Sequence, residues 1–127
     1  MRHRLLVVDD QMGVRRLLFE AFKEEGYAIE LAASGHEAVE KVKFGIPDII
    51  LMDMKMPGMN GLETLQEIKK IHDDILVIIM TAYGELEVVS EAKKLGIKEY
   101  ITKPFDINEL RRLVKEVIKE NENFLPA

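Results

Sequence analysis

Three short runs of branched apolar residues punctuate the chain: Leu5-Leu6-Val7-Val8, Ile49-Ile50-Leu51-Met52 and Val77-Ile78-Ile79-Met80. None alternates with polar residues, the pattern of a strand covered on both faces. Two weaker runs keep the same rhythm, Tyr27 to Ala32 and Glu99 to Thr102. Between them the apolar period lengthens to that of a helix. Val14, Leu17, Leu18, Ala21 and Phe22 fall on one predicted helical face, and Leu110, Leu113, Val114, Val117 and Ile118 on another. Val88, Val89, Ala92 and Leu95 predict a third helix, Leu62, Leu65 and Ile68 a fourth, and Ala38, Val39 and Val42 a fifth. Ser34 with Glu37, and Asp106 with Glu109, have the spacing of helix N-terminal caps. Gly26, Gly45-Ile46-Pro47 and Gly96 stand where helices should stop. The pattern is strand–helix repeated five times, an α/β chain whose helix-length connections imply a doubly wound parallel sheet.

Composition narrows the class. The 127 residues carry 18 Lys+Arg against 23 Asp+Glu, a net charge of -5, which disfavours wholesale attraction to nucleic acid or anionic membrane. No cysteine is present, so disulfides and thiolate chemistry are out. No apolar run approaches the roughly 20 residues of a membrane span. A small soluble protein in the cytoplasm is expected: one domain over residues 1–120, a short tail over 121–127, no effector module, and a monomer. His3, His36 and His72 share no metal spacing and are assigned to the surface.

In an open parallel sheet, ligands gather beyond the carboxyl ends of the strands. The residues due there are Asp9 and Asp10 after the first strand, Asp53 after the third, Thr81 at the fourth and Lys103-Pro104 at the fifth. Each has a plain alternative: a solvated Asx turn for the aspartates, strand propensity for Thr81, an ordinary surface lysine for Lys103. Together they place three carboxylates, a hydroxyl and an ammonium on one edge. Crowded carboxylates call for a hard cation, and Mg2+ is the natural choice, with Mn2+ as substitute. Asp53 then reads as a carboxylate able to accept a phosphoryl group.

This constellation resembles the response-regulator receiver domain of bacterial two-component signalling, in the CheY-like superfamily. The likeness runs from Leu5 to about Lys119 and rests on Asp9-Asp10, Asp53, Thr81-Ala82 and Lys103-Pro104-Phe105. It implies a flavodoxin-like (βα)5 fold with strand order 2-1-3-4-5. It also implies that Asp53 is the phosphoacceptor, and that Asp10, Asp53 and the main-chain carbonyl of Lys55 ligate the metal, with Asp9 acting through a water. Lys103 would pair with the phosphoryl group, and Thr81 would report it to a switch aromatic at Tyr100; the plainer alternative is a half-buried strand tyrosine. A histidine-bearing four-helix bundle, of a sensor kinase or a phosphotransferase, would dock on Gln11, Gly13, Val14, Pro104 and Phe105, with Tyr83 beside them. Within the family the likeness is closer to the single-domain phosphorelay regulators of bacillus-type sporulation, through Val7 to Gln11, Asp53 to Met59, Ile78 to Glu85 and Lys103 to Ile107. It departs at Tyr100, where those carry histidine and chemotaxis-type regulators carry tyrosine.

Lys55 and Tyr83 are long enough to cover the approach of water to a phosphoryl group, so a long-lived phosphorylated state is expected. Two other classes compete with this reading. A turnover Mg2+ phosphohydrolase would want an acid two residues after Asp53, where Lys55 stands. A purely structural domain would have no need of the complete acid, threonine and lysine set.

Overall fold

The computed structural model describes residues 2–82 and 84–123. Ten elements alternate: β1 (Arg4–Val8), α1 (Met12–Glu24), β2 (Ala28–Ala32), α2 (Gly35–Phe44), β3 (Ile49–Asp53), α3 (Gly61–Ile71), β4 (Leu76–Ala82), α4 (Leu86–Lys94), β5 (Glu99–Lys103) and α5 (Ile107–Asn123). The strands form one parallel sheet in the order β2-β1-β3-β4-β5, as the sequence pattern and the resemblance imply. The central strands lie in the middle of the order and are covered on both faces, which is why their sequences are continuously apolar. β2 and β5 are edges, and their thinner apolar content matches their partial burial.

Strand alternation divides the interior in two. Leu6, Val8, Ile50, Met52, Val77 and Ile79 pack under α2, α3 and α4. Leu5, Val7, Ile49, Leu51, Ile78, Met80 and Ile101 pack under α1 and α5. Leu18, Ala21 and Phe22 of α1 join that second layer, but Leu17 is 52% exposed. Here the sequence expectation is corrected: the apolar stripe of α1 is wider than its core face, and Leu17 lies on the solvent side of it.

The caps show how local chemistry fixes helix ends. Ser34 Oγ accepts from the Glu37 N–H as expected, while Glu37 Oε2 returns to the N–H of Ala33 instead of Ser34. Asp106 Oδ1 accepts from the N–H groups of Asn108 and Glu109. The full reciprocal box is at α3, between Asn60 and Glu63, and was not anticipated. α1 and α4 both end in paired reverse bonds, Gly26 N to Lys23 O with Tyr27 N to Phe22 O, and Gly96 N to Lys93 O with Ile97 N to Ala92 O. Those bonds need a left-handed residue, and Gly26 and Gly96 supply it at φ 92° and 91°.

Met54, the residue after β3, extends the sheet by donating to Met80 O and then accepts from the N–H of Gly61. A Cβ at Gly61 would stand 2.6 Å from both Cα and Sδ of Met54, so α3 can approach the end of β3 only through glycine. Gly61→Ala should therefore destabilise the fold by about 1–3 kcal/mol through overpacking, against the ordinary gain of up to ~1 kcal/mol for alanine in a helix. A urea midpoint at or above that of the unmodified chain would contradict this.

Candidate functional site

At the carboxyl ends of β1 and β3, which are neighbours in the sheet, Asp9, Asp10 and Asp53 bring carboxylate oxygens within 4.8 Å of one another. Asp9 is locked in place. Its N–H continues the β1–β2 ladder to Ala32 O, its Oδ1 accepts from the N–H of Gln11, and Arg15 donates to its main-chain carbonyl at 2.7 Å. The Gln11 bond is the Asx turn that the plain reading foresaw, so turn and site are the same structure. Asp10 points to solvent, while Asp9 and Asp53 are buried.

The ammonium of Lys103 enters between the two buried carboxylates, 2.8 Å from Asp9 Oδ2 and 3.5 Å from Asp53 Oδ2. Its hydrogen bond is to Asp9, so in this state the lysine belongs more to Asp9 than to Asp53. The Lys103–Pro104 peptide bond is cis. Burial pushes the Asp53 carboxyl above its ordinary range; Lys103 opposes that shift, Asp9 adds to it, and the Lys55 N–H, donating to Asp53 Oδ1 at 3.3 Å, opposes it.

Three carboxylates against one ammonium leave two negative charges, and every side-chain donor is a hard oxygen. This chemistry fits a divalent cation such as Mg2+: the exposed carboxylate of Asp10 and the end of β3 face the open side, while Asp9 is already held by Lys103 and Gln11.

Thr81 is buried on β4. Its partner across the sheet is Thr102, and that of Ile79 is Tyr100, so Thr81 and the half-buried Tyr100 share the face of α2, α3 and α4, two positions apart on adjacent strands. The Lys93 ammonium lies 5.6 Å from the Tyr100 ring centroid. Gln11, Gly13 and Pro104 are exposed, while Val14 and Phe105 are half-buried against the α1–α5 layer. Two exposed neighbours were not singled out: Leu17, which its period put on the core face, and Met12, 62% exposed, which lies on no predicted face. Lys55 does not lean over Asp53: its ammonium pairs with Glu85 at 3.2 Å. Tyr83 lies outside the described residues. Of the three histidines, His36 is exposed and the other two are half-buried, His3 paired with Glu122 at 3.0 Å.

Residues 5–115 match the response regulator receiver domain. The chain is 48% identical over 123 residues to sporulation initiation phosphotransferase F of Bacillus subtilis, covering 97% of this chain and 99% of that protein. It is 39% identical over 120 residues to chemotaxis protein CheY of Thermotoga maritima, covering 94% and 100%. Among solved structures, the CheY-like response regulator receiver domain protein of Methanospirillum hungatei superposes with a TM-score of 0.93 at 30% identity, over 97% of this chain and 98% of that one.

The raised proton affinity of Asp53 has a thermodynamic sign. The folded chain holds that proton more tightly than the unfolded chain. Stability is therefore lost as pH rises from the ordinary carboxylate range through the folded value, so a penalty is carried on the alkaline side of that range. In EDTA, Asp53→Asn should raise the urea midpoint at pH 7, and the advantage should fade as pH falls through the ordinary carboxylate range. An advantage independent of pH would refute this origin.

Proposed function

The chain belongs to the response regulator receiver family, and on that premise we propose that Asp53 is its phosphoacceptor, taking a phosphoryl group from a phosphohistidine in a Mg2+-dependent step. The observation that carries this reading is the Lys103 ammonium set between Asp9 and Asp53 on an open sheet edge. An oxygen of Asp53 attacks phosphorus in line as the phosphorus–nitrogen bond to the histidine breaks, and the ring nitrogen leaves with the electron pair. Little covalent help is needed for such a transfer; position and charge compensation suffice.

Asp10, Asp53 and the main-chain carbonyl of Lys55 would hold the metal, with Asp9 reaching it through a water. Bound there, the cation supplies positive charge to the phosphoryl oxygens. Lys103 covers another oxygen by shifting from Asp9 towards Asp53, a small displacement given that both are within 3.5 Å. The Thr81 hydroxyl donates to a third, and Tyr100, on the same face, moves with it.

The donor we infer is a histidine on the four-helix bundle of a sensor kinase or phosphotransferase. Gln11, Gly13, Val14, Pro104 and Phe105 are the rim we assign to that docking, and the exposed Met12 and Leu17 would add apolar surface to it. The 48% identity to a sporulation phosphotransferase supports a relay role, in which the group is passed onward or signals by protein binding. Catalysis is then limited to the chain's own phosphorylation and dephosphorylation, in the cytoplasm and as a monomer; among the described residues no helix is long and apolar enough to cross a membrane. A hydrolase with turnover is disfavoured because Lys55 stands where a general acid would be needed.

Incubation with a phosphorylated histidine kinase and Mg2+ should place label on Asp53, at most one per chain, and Asp53→Asn or EDTA should abolish it. Mg2+ alone should raise the melting temperature of the unmodified chain and shift Asp10→Asn much less. Continuous phosphate release from small esters, or no label at all, would overturn the assignment.

A further inference from the structure

Lys55 and Glu85 join the two loops that flank the carboxylate pocket, one after β3 and the other before α4. The pair is lopsided. Lys55 is 80% exposed and free to swing, whereas the Glu85 side chain is only 16% exposed. Glu85 Oε1 has no accessible surface and no well-aligned hydrogen bond among the described residues, although the Lys55 ammonium is 3.2 Å away. A buried carboxylate oxygen held by charge alone is poorly satisfied. Glu85 is also the N-cap residue of α4, yet its side chain makes no capping bond. Turned towards Lys55, it leaves the first-turn N–H groups of that helix without a side-chain cap, although Glu87 adds an acidic group in that turn.

From this we propose that Lys55 is a cation exchanged between Glu85 and a phosphoryl group on Asp53, so that Glu85 sets the lifetime of the phosphorylated state and α4 receives the signal. The inference rests on the phosphoacceptor reading of Asp53. The Lys55 N–H already lies 3.3 Å from Asp53 Oδ1, so its flexible side chain starts beside the reaction centre. A phosphoryl group there carries close to two negative charges and outbids a single carboxylate. Once Lys55 leaves, Glu85 turns to the N-terminus of its own helix. With Lys55 over the phosphoryl group, the in-line path of water is obstructed. With Lys55 on Glu85 the path is open: water oxygen bonds to phosphorus, the phosphorus–oxygen bond to Asp53 breaks, the carboxylate takes the electron pair, and the water proton passes to solvent with inorganic phosphate as product.

The test is the half-life of label on Asp53 in four chains: unmodified, Glu85→Gln, Lys55→Gln and the double variant. Glu85→Gln should lengthen the half-life roughly three- to fivefold, what an ion pair with one exposed partner is worth. Lys55→Gln should shorten it, and adding Glu85→Gln to that background should change nothing. Lys55→Arg should keep the Glu85 effect. On phosphorylation the backbone amide signals of Leu86 and Glu87 should shift in the unmodified chain and much less in Glu85→Gln. An unmodified chain that takes no label defeats the phosphoacceptor reading itself. A labelled chain whose half-life ignores Glu85, or responds equally with and without Lys55, defeats the exchange alone.

Discussion

A single ammonium shared by two buried carboxylates makes this site possible. β1 and β3 are neighbours, so the aspartates that end them are forced together; β5 lies two strands from β3, with β4 between. At about 4.8 Å per strand, the strand axes of β3 and β5 are roughly 10 Å apart. A long cationic side chain is needed to bring positive charge across, and Lys103, the last residue of β5, reaches Asp53 at 3.5 Å and Asp9 beyond it at 2.8 Å. Without it Asp9, wholly buried, would be an uncompensated charge. Sheet order therefore dictates both the crowding of negative charge and the residue type that relieves it.

Strand alternation adds a second constraint. Asp53 and Lys103 continue the positions of Leu51 and Ile101, on the α1–α5 face; Thr81 and Tyr100 belong with Ile79, on the opposite face. The charged half of the site and its proposed reporting half thus lie on opposite sides of one sheet edge. Under the proposed role, a group on Asp53 would be sensed at the ends of β4 and β5, since the core beneath is closed by apolar contacts.

The central strands were legible in the sequence because burial on both faces leaves no polar position to confuse the pattern, and the five site landmarks were legible because each lies at or just beyond the carboxyl end of a strand. The failures have equally specific causes. Leu17 reads as core because an apolar residue on the solvent side can obey the same helical period as one facing the interior. Asn60 and Glu63 have the capping spacing, but the helix was read from Leu62, Leu65 and Ile68 alone, and apolar period does not mark where a helix starts. Glu85 leaves no trace in periodicity or spacing. Its importance exists only where two loops, distant in sequence, meet.

That last case shows where physical reading of a sequence runs short in this fold. The scaffold is built from repeating local patterns, and such patterns survive translation into one dimension. The control we propose for the site depends on a charge contact between loops, and that of Lys55 with Glu85 is made by one residue from each, with no repetition to betray it. The charged residues of the pocket therefore sit at or beside strand ends, Asp9, Asp53 and Lys103 among them. The proposed exchange instead falls to loop residues whose neighbours appear only in three dimensions. Under that proposal Lys55 and Glu85 can change without disturbing the pocket, because Asp9, Asp53 and Lys103 are held by the sheet and Lys55 and Glu85 are not.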